Sequence, residues 1–169
     1  ALHFWEEPCI SGKSGSGTVF FSGCNLKCCF CQNYNISAEN FGKEISVERL
    51  AEIFLELQEQ NAHNINLVNP THYVPLIIKA LETAKPRLKI PVVYNSGGYE
   101  TVETIAKLDG YVDIFLPDLK YKSSLLSKKY SHAENYFKYA SKAIKAMFEQ
   151  VGKPIFDGDI LIKGVIIRH

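Results

Sequence analysis

No apolar run in the chain approaches the roughly 20 residues that a membrane-spanning helix needs, and no secretory-signal pattern opens it. Neither sign of charge is in excess. Nineteen Lys and Arg stand against eighteen Asp and Glu, a formal net charge of +1, so the overall balance draws the protein neither to nucleic acid nor to a membrane surface. Histidine is scarce near the cysteines, the next one after Cys31 being His63. The cysteines themselves number five, an odd count, and most crowd into one stretch, which excludes a disulfide framework and points to a reducing, cytoplasmic setting. What is present is 46% hydrophobic and 12% aromatic residues over 169 positions, enough to build the core of one globular domain.

The chemistry concentrates in residues 23–34, GCNLKCCFCQNY, which follow the strand-like run Thr18-Val19-Phe20-Phe21-Ser22. Cys24, Cys28 and Cys31 have CxxxCxxC spacing on what must be one tight loop. Soft thiolates select zinc, copper(I) or iron-sulfur clusters, and a complete structural site normally takes four protein ligands. Three thiolates without a partner CxxC leave one metal position open. A Cys3His zinc knuckle would require a histidine a few residues on, and His63 is too distant. Cys29, adjacent to Cys28, should point away from the same metal and pack against the protein, and Cys9 reads as a small buried residue.

Residues 1–17 read as a flexible lead-in to a core spanning 18–169. Gly12-Lys13-Ser14 imitates the end of a phosphate-binding loop, but Glu7 stands where its first glycine should be, and the tract precedes a strand instead of a helix. Beyond the cysteines, Ser46 can cap a helix to about Gln60, with Val47, Leu50, Phe54 and Leu57 on one face. Strands are expected at 64–68, 91–94, 112–116 and 161–167. Helices are expected at 73–84, 101–108 and 123–151, the last broken near Ser131-His132. With the strand at 18–22 this is a five-strand βα series, whose strands should be parallel and covered on both faces. A doubly wound sheet and a partial barrel both suit it. The polar cluster closing each strand favours the barrel, because barrel enzymes build their sites at carboxyl ends. The cysteine loop, the Asn69 to His72 turn, the Asn95 to Gly97 turn, Asp118 with Lys120, and Arg168 with His169 should therefore meet at one mouth. His3, His63 and His132 read as surface or capping residues.

CxxxCxxC with an aromatic residue, Phe30, before its last cysteine resembles the signature of radical S-adenosylmethionine (radical SAM) enzymes. The blocks EEPCISG, GSGTVFFSGCNLKCCFCQNYNIS, NLVNPTHYVP, VVYNSGGY and VDIFLPDLKY resemble an uncharacterised branch related to pyruvate formate-lyase activating enzymes. The resemblance implies an α/β fold, a partial parallel (β/α) barrel truncated after its fifth strand, and hence a piece of a longer protein. It implies a 4Fe-4S cluster on Cys24, Cys28 and Cys31, whose unique iron is chelated by S-adenosyl-L-methionine, with the backbone at Phe30 meeting the adenine. Where relatives have a Gly-Gly-Glu turn for the amino group, this sequence offers Asn69, Thr71 and His72. Asn95, Ser96 and Gly97 would face the methionyl or ribose part, Asp118 and Lys120 the ribose or carboxylate, and Arg168 a carboxylate. The implied activity is reductive cleavage of SAM to a 5′-deoxyadenosyl radical, fed by a low-potential donor such as flavodoxin or ferredoxin and directed at a substrate that includes, among the options, a glycine of a partner protein. The competing reading is a zinc or iron-sulfur module without turnover.

Overall fold

The computed structural model describes residues 1–169. In chain order its elements are β1 (Leu2–His3), α1 (Pro8–Ser11), β2 (Ser16–Phe20), α2 (Tyr34–Ser37), α3 (Val47–Glu59), β3 (Ile65–Val68), α4 (Val74–Ala84), β4 (Val92–Ser96), α5 (Val102–Ala106), β5 (Ile114–Pro117), α6 (Ser124–Ser131), α7 (Tyr136–Val151), β6 (Ile155–Asp157) and β7 (Ile160–Val165). Three of the helices start where a short hydroxyl side chain caps them. Ser46, Thr101 and Ser123 accept from the backbone N–H groups of Arg49, Thr104 and Leu126. The break expected near Ser131-His132 is real: α6 ends on His132, which takes the left-handed conformation at φ 56°.

The strands form one sheet in the order β1-β2-β3-β4-β5-β7-β6. β2, β3, β4, β5 and β7 are mutually parallel, as the βα series required, and β1 and β6 add antiparallel at the two edges. The sheet does not close on itself.

Period-two alternation along the strands separates two interiors. Ile65, Leu67, Val92, Tyr94 and Phe115 point one way, into a cluster with Leu50 and Phe54 of α3, Ile77 and Leu81 of α4, Ile105 of α5 and Met147 of α7. All four of these helices therefore lie on a single face, the arrangement of a barrel wall and not of a doubly wound sheet. Val93, Ile114 and Leu116 point the other way, into a small cluster with Leu161 and Ile10.

That second cluster overturns the expectation for residues 1–17. Leu2 and His3 pair with Gly17 and Ser16, and the helix Pro8–Ser11 carries Ile10, completely buried, across the concave face of the sheet. Asn64 fixes the crossing by donating to the Ile10 carbonyl at 2.8 Å and accepting from the Ser16 hydroxyl at 2.6 Å. A short Gly- and Ser-rich segment reads as loose when its partners lie far away in sequence, and here they lie on β4, β5 and β7. No helix of the structure is long and apolar enough to cross a membrane. Because Ile10 is core, Ile10→Ala should cost about 2–5 kcal/mol in urea unfolding; a loss near zero would restore the flexible lead-in.

Candidate active site

The carboxyl ends of the parallel strands surround a cavity of about 540 Å³. Cys24, Cys28 and Cys31 line it, together with Phe30, Asn69, Asn95, Ser96, Gly97, Asp118, Lys120 and Arg168, so most of the expected site residues do converge. The loop that carries the cysteines is moored at both ends. Gly23, at φ 82°, donates its N–H to the Ile36 carbonyl at 2.9 Å, while Lys27 and Cys29 donate theirs to Ser131 and Tyr130 at the end of α6, at 3.1 and 2.9 Å. Between these moorings Leu26 is buried against Ala133, Tyr136 and Ala140.

Each thiol has its own polar neighbour. The Leu26 N–H donates to Cys24 Sγ at 3.4 Å, the Ser131 hydroxyl donates to Cys28 Sγ at 2.9 Å, and Cys31 Sγ lies 3.2 Å from the Ser37 hydroxyl. Burial pushes the Cys24 and Cys28 thiols above the ordinary thiol pKa, and these hydrogen bonds pull them back. Cys29 is exposed, contrary to the expectation that it packs, because the loop turns its side chain outward when its backbone binds Tyr130. Cys9 is half-buried.

Asp118 organises the opposite wall. Its carboxylate accepts from Arg168 Nε at 2.9 Å and pairs with Lys120, and Arg168 Nη2 also donates to the Asn95 side-chain oxygen at 2.6 Å. Gly97 and Gly98 permit this crowding. A Cβ at Gly97 would lie 2.8 Å from Leu26 Cδ1, and one at Gly98, whose φ is 75°, would run into the Asp118 carbonyl. The Tyr136 hydroxyl ties the turns together, donating toward the carbonyls of Gly97 and Asp118 and accepting from the Lys120 N–H at 3.0 Å. His169 binds the Leu119 carbonyl at 2.6 Å and stays exposed.

Thr71 and His72 do not join the cavity. The chain enters a 3-10 turn at Thr71–Tyr73 and rotates them away, leaving Asn69, at φ 56°, as the one expected residue of that turn that faces inward. His3, read as a surface residue, lines the cavity instead. A buried carboxylate was missed altogether. Glu100, 3% exposed, accepts from the Thr71 hydroxyl at 2.6 Å and the Tyr94 hydroxyl at 3.3 Å, and its second oxygen has no partner. An acid two residues after a Gly-Gly turn was the available signal.

The donor set on this cavity is three soft thiols, a set that suits an iron-sulfur cluster with one iron left open. No group of three His, Cys, Asp or Glu side chains is gathered for a single ion. Zn–S bonds of about 2.3 Å would bring tetrahedral ligands within about 4 Å of one another. Thiolates on a cubane grip different irons and stand further apart than that.

A one-sided β/α barrel wall with a cysteine loop at its carboxyl mouth is the architecture of barrel proteins that build their sites at the strand ends. The particular family follows from comparison: the family model described as the radical SAM superfamily matches residues 18–168, and the chain belongs to that superfamily. The family works with a 4Fe-4S cluster and SAM. An uncharacterized protein of Methanocaldococcus jannaschii is 37% identical over 145 residues, 80% of this chain and 41% of the relative, so the chain spans about two fifths of that protein's length. Among solved structures, methylornithine synthase (PylB) superimposes with a TM-score of 0.59 at 15% identity, covering 89% of this chain and 42% of the other. SuiB of Streptococcus suis bound to S-adenosylmethionine does so with a TM-score of 0.51 at 18% identity, covering 78% and 28%. Both share the fold.

Burial pushes the Glu100 carboxyl up to about 7, against hydrogen bonds from Thr71 and Tyr94 that lower it. An unfolded glutamate ionises near 4.5, so between there and about 7 the folded state holds a proton that the unfolded state has released. The stabilisation from this group is complete below the lower value and lost as pH rises through the upper one. Urea midpoints of wild type and Glu100→Gln at about pH 5 and about pH 8 should show the wild type losing up to about 3 kcal/mol relative to the variant. Parallel pH profiles would overturn the assignment.

Proposed function

We propose that this chain is the core of a radical SAM enzyme in which Cys24, Cys28 and Cys31 hold the cluster and the cavity between them and Asp118 seats SAM. The observation that carries this reading is the meeting of three thiols and an Asp118-Arg168-Lys120 charge node on one cavity at the strand ends. When bound, a reduced 4Fe-4S cluster supplies the electron that cleaves SAM into methionine and a 5′-deoxyadenosyl radical, which takes a hydrogen from the substrate.

The chain's own residues bind, orient and exclude water. Cys28 is oriented by Ser131, whose hydroxyl lies 2.8 Å from Tyr121, so this thiol is held by a two-residue relay. Hydrogen bonds to cluster sulfurs are among the levers that set reduction potential. Lys120 and Arg168 present positive charge suited to a carboxylate, and Asp118 fixes both. The amide of Asn69, the Ser96 hydroxyl and the backbone of Gly97 supply neutral hydrogen-bonding groups on the same cavity, and the exposed ring of Phe30 offers an apolar face at its rim. A low-potential flavodoxin or ferredoxin fits the need for one electron per turnover. Kinship with the activating enzymes of glycyl-radical proteins, and with it a protein substrate and an oxidoreductase role, rests on the sequence blocks.

Anaerobically reconstituted protein should contain iron and acid-labile sulfide in equal amounts and, after dithionite reduction, give a 4Fe-4S electron paramagnetic resonance signal that changes when SAM is added. Cys28→Ala should lose both the cluster and SAM cleavage, whereas Cys29→Ala keeps them. Full cluster content in Cys28→Ala, or zinc alone at about one metal per chain, would sink the reading in favour of a structural module.

A further inference from the structure

Glu6 and Glu7 belong to the EEPC segment that crosses the concave face, and the cofactor site described above makes no use of them. Their backbone is fixed. The Glu7 carbonyl accepts from the N–H groups of Ile10 and Ser11 at 2.8 and 3.0 Å, and the Glu6 N–H donates to the buried Ser11 hydroxyl at 3.0 Å. This geometry delivers the Glu6 carboxylate into the cavity with its side chain only 10% exposed.

There the carboxylate lacks a matched donor. Its cationic neighbours are Arg168 Nη1 at 3.6 Å and His3 Nδ1 at 3.7 Å, both beyond good hydrogen-bond distance. The short hydrogen bonds of Arg168 go to Asp118 and Asn95, and Lys120 is also paired with Asp118. Three carboxylates, those of Glu6, Glu7 and Asp118, thus share two committed cations. Two further polar atoms near Glu6, His3 Nδ1 and Glu7 Oε2, are buried without a hydrogen-bond partner, and the amide of the completely buried Asn66 is the neutral group beside the Glu6 carboxylate. Such groups each destabilise the fold unless a ligand completes them. Trp5, which is 88% exposed, lines the same cavity. A carboxylate and an indole on one cavity are a pair suited to a cation.

The Glu6 carboxylate itself is set back from the Asn69 turn. Asn66 lies beside Glu6 and three residues before Asn69, about 10 Å back along the strand direction. Val68, on the same strand face as Asn66, lines the cavity between the two.

We propose that Glu6, with Trp5 and His3, forms a substrate subsite of the cavity that takes a cationic nitrogen, an ammonium or guanidinium group. The inference rests on the radical SAM reading only in assigning that nitrogen to the substrate; SAM carries an ammonium of its own, and the test separates the two sources.

Trp5 is the single tryptophan of the chain, so its fluorescence reports on the subsite directly. The reconstituted protein is titrated with n-butylammonium chloride at constant ionic strength, with n-butanol and sodium butyrate as controls of equal length. A saturable change is expected for n-butylammonium alone, weakened at least about tenfold in Glu6→Gln. No saturable change, an equal response to n-butanol, or unaltered binding in a folded Glu6→Gln would each overturn the subsite. The selectivity of the wild type decides the matter even if Glu6→Gln fails to fold. Equilibrium dialysis of SAM forms the second arm: its affinity should stay within about twofold in Glu6→Gln. A loss matching that of n-butylammonium would show that the nitrogen is SAM's own and overturn the substrate assignment. A wild type that binds no SAM would sink the functional reading, and the n-butylammonium titration would still decide the subsite.

Discussion

The Asp118 carboxylate is the interaction on which the mouth of this barrel depends. One oxygen takes the Arg168 guanidinium and the other the Lys120 ammonium, while its own backbone N–H reaches the Ser96 carbonyl at 3.0 Å and its carbonyl receives the Tyr136 hydroxyl. The ends of β4, β5 and the segment after β7 are thereby drawn to one point, and Asp118 and Arg168 form a parallel bridge beyond the regular ladder. These side chains are 19–32% exposed, so the pairs lie between surface ion pairs worth about 0–1 kcal/mol and buried ones whose rupture costs about 3–5 kcal/mol. The node contributes modestly to overall stability. Its main effect is geometric, holding two cations still at the edge of a cavity.

The same economy shapes the edges of the sheet. Five parallel strands leave two open edges, and each is covered by a short antiparallel strand, β1 on one side and β6 on the other. Short edge pieces of two and three residues offer little ladder for another chain to join. These seven strands therefore present no long unpaired edge, and α1 with Ile10 packs against part of the concave face.

How much of this was legible in the sequence depended on the range of the interaction that carried the signal. Ser46, Thr101 and Ser123 cap helices that begin one residue later, and the strand-end polar clusters mark positions fixed by their own strands, so both could be read locally. The cysteine loop was legible for the same reason. Ile10 was not, since its burial comes from Val93, Ile114 and Leu161, and nothing near it announces those partners. Thr71 and His72 were assigned to the mouth on proximity to a strand end, but a single 3-10 turn sufficed to rotate them out. Glu100 was overlooked because an acid after a Gly-Gly turn looks solvated, and only the fold shows Thr71 and Tyr94 closing over it.

The mooring of the cysteine loop to α6 has a consequence in time. Cys28 and the Ser131 hydroxyl that binds it are 103 positions apart. A ribosome adding about 5–20 residues per second exposes the three thiols for roughly 5–20 s before the helix that anchors them has been made. Arg168, which completes the far wall, arrives later still. For that interval the cysteines belong to a nascent chain without a cavity, open both to delivery of iron and to oxidation, and the slow, long-range closure of the barrel sets how long the interval lasts.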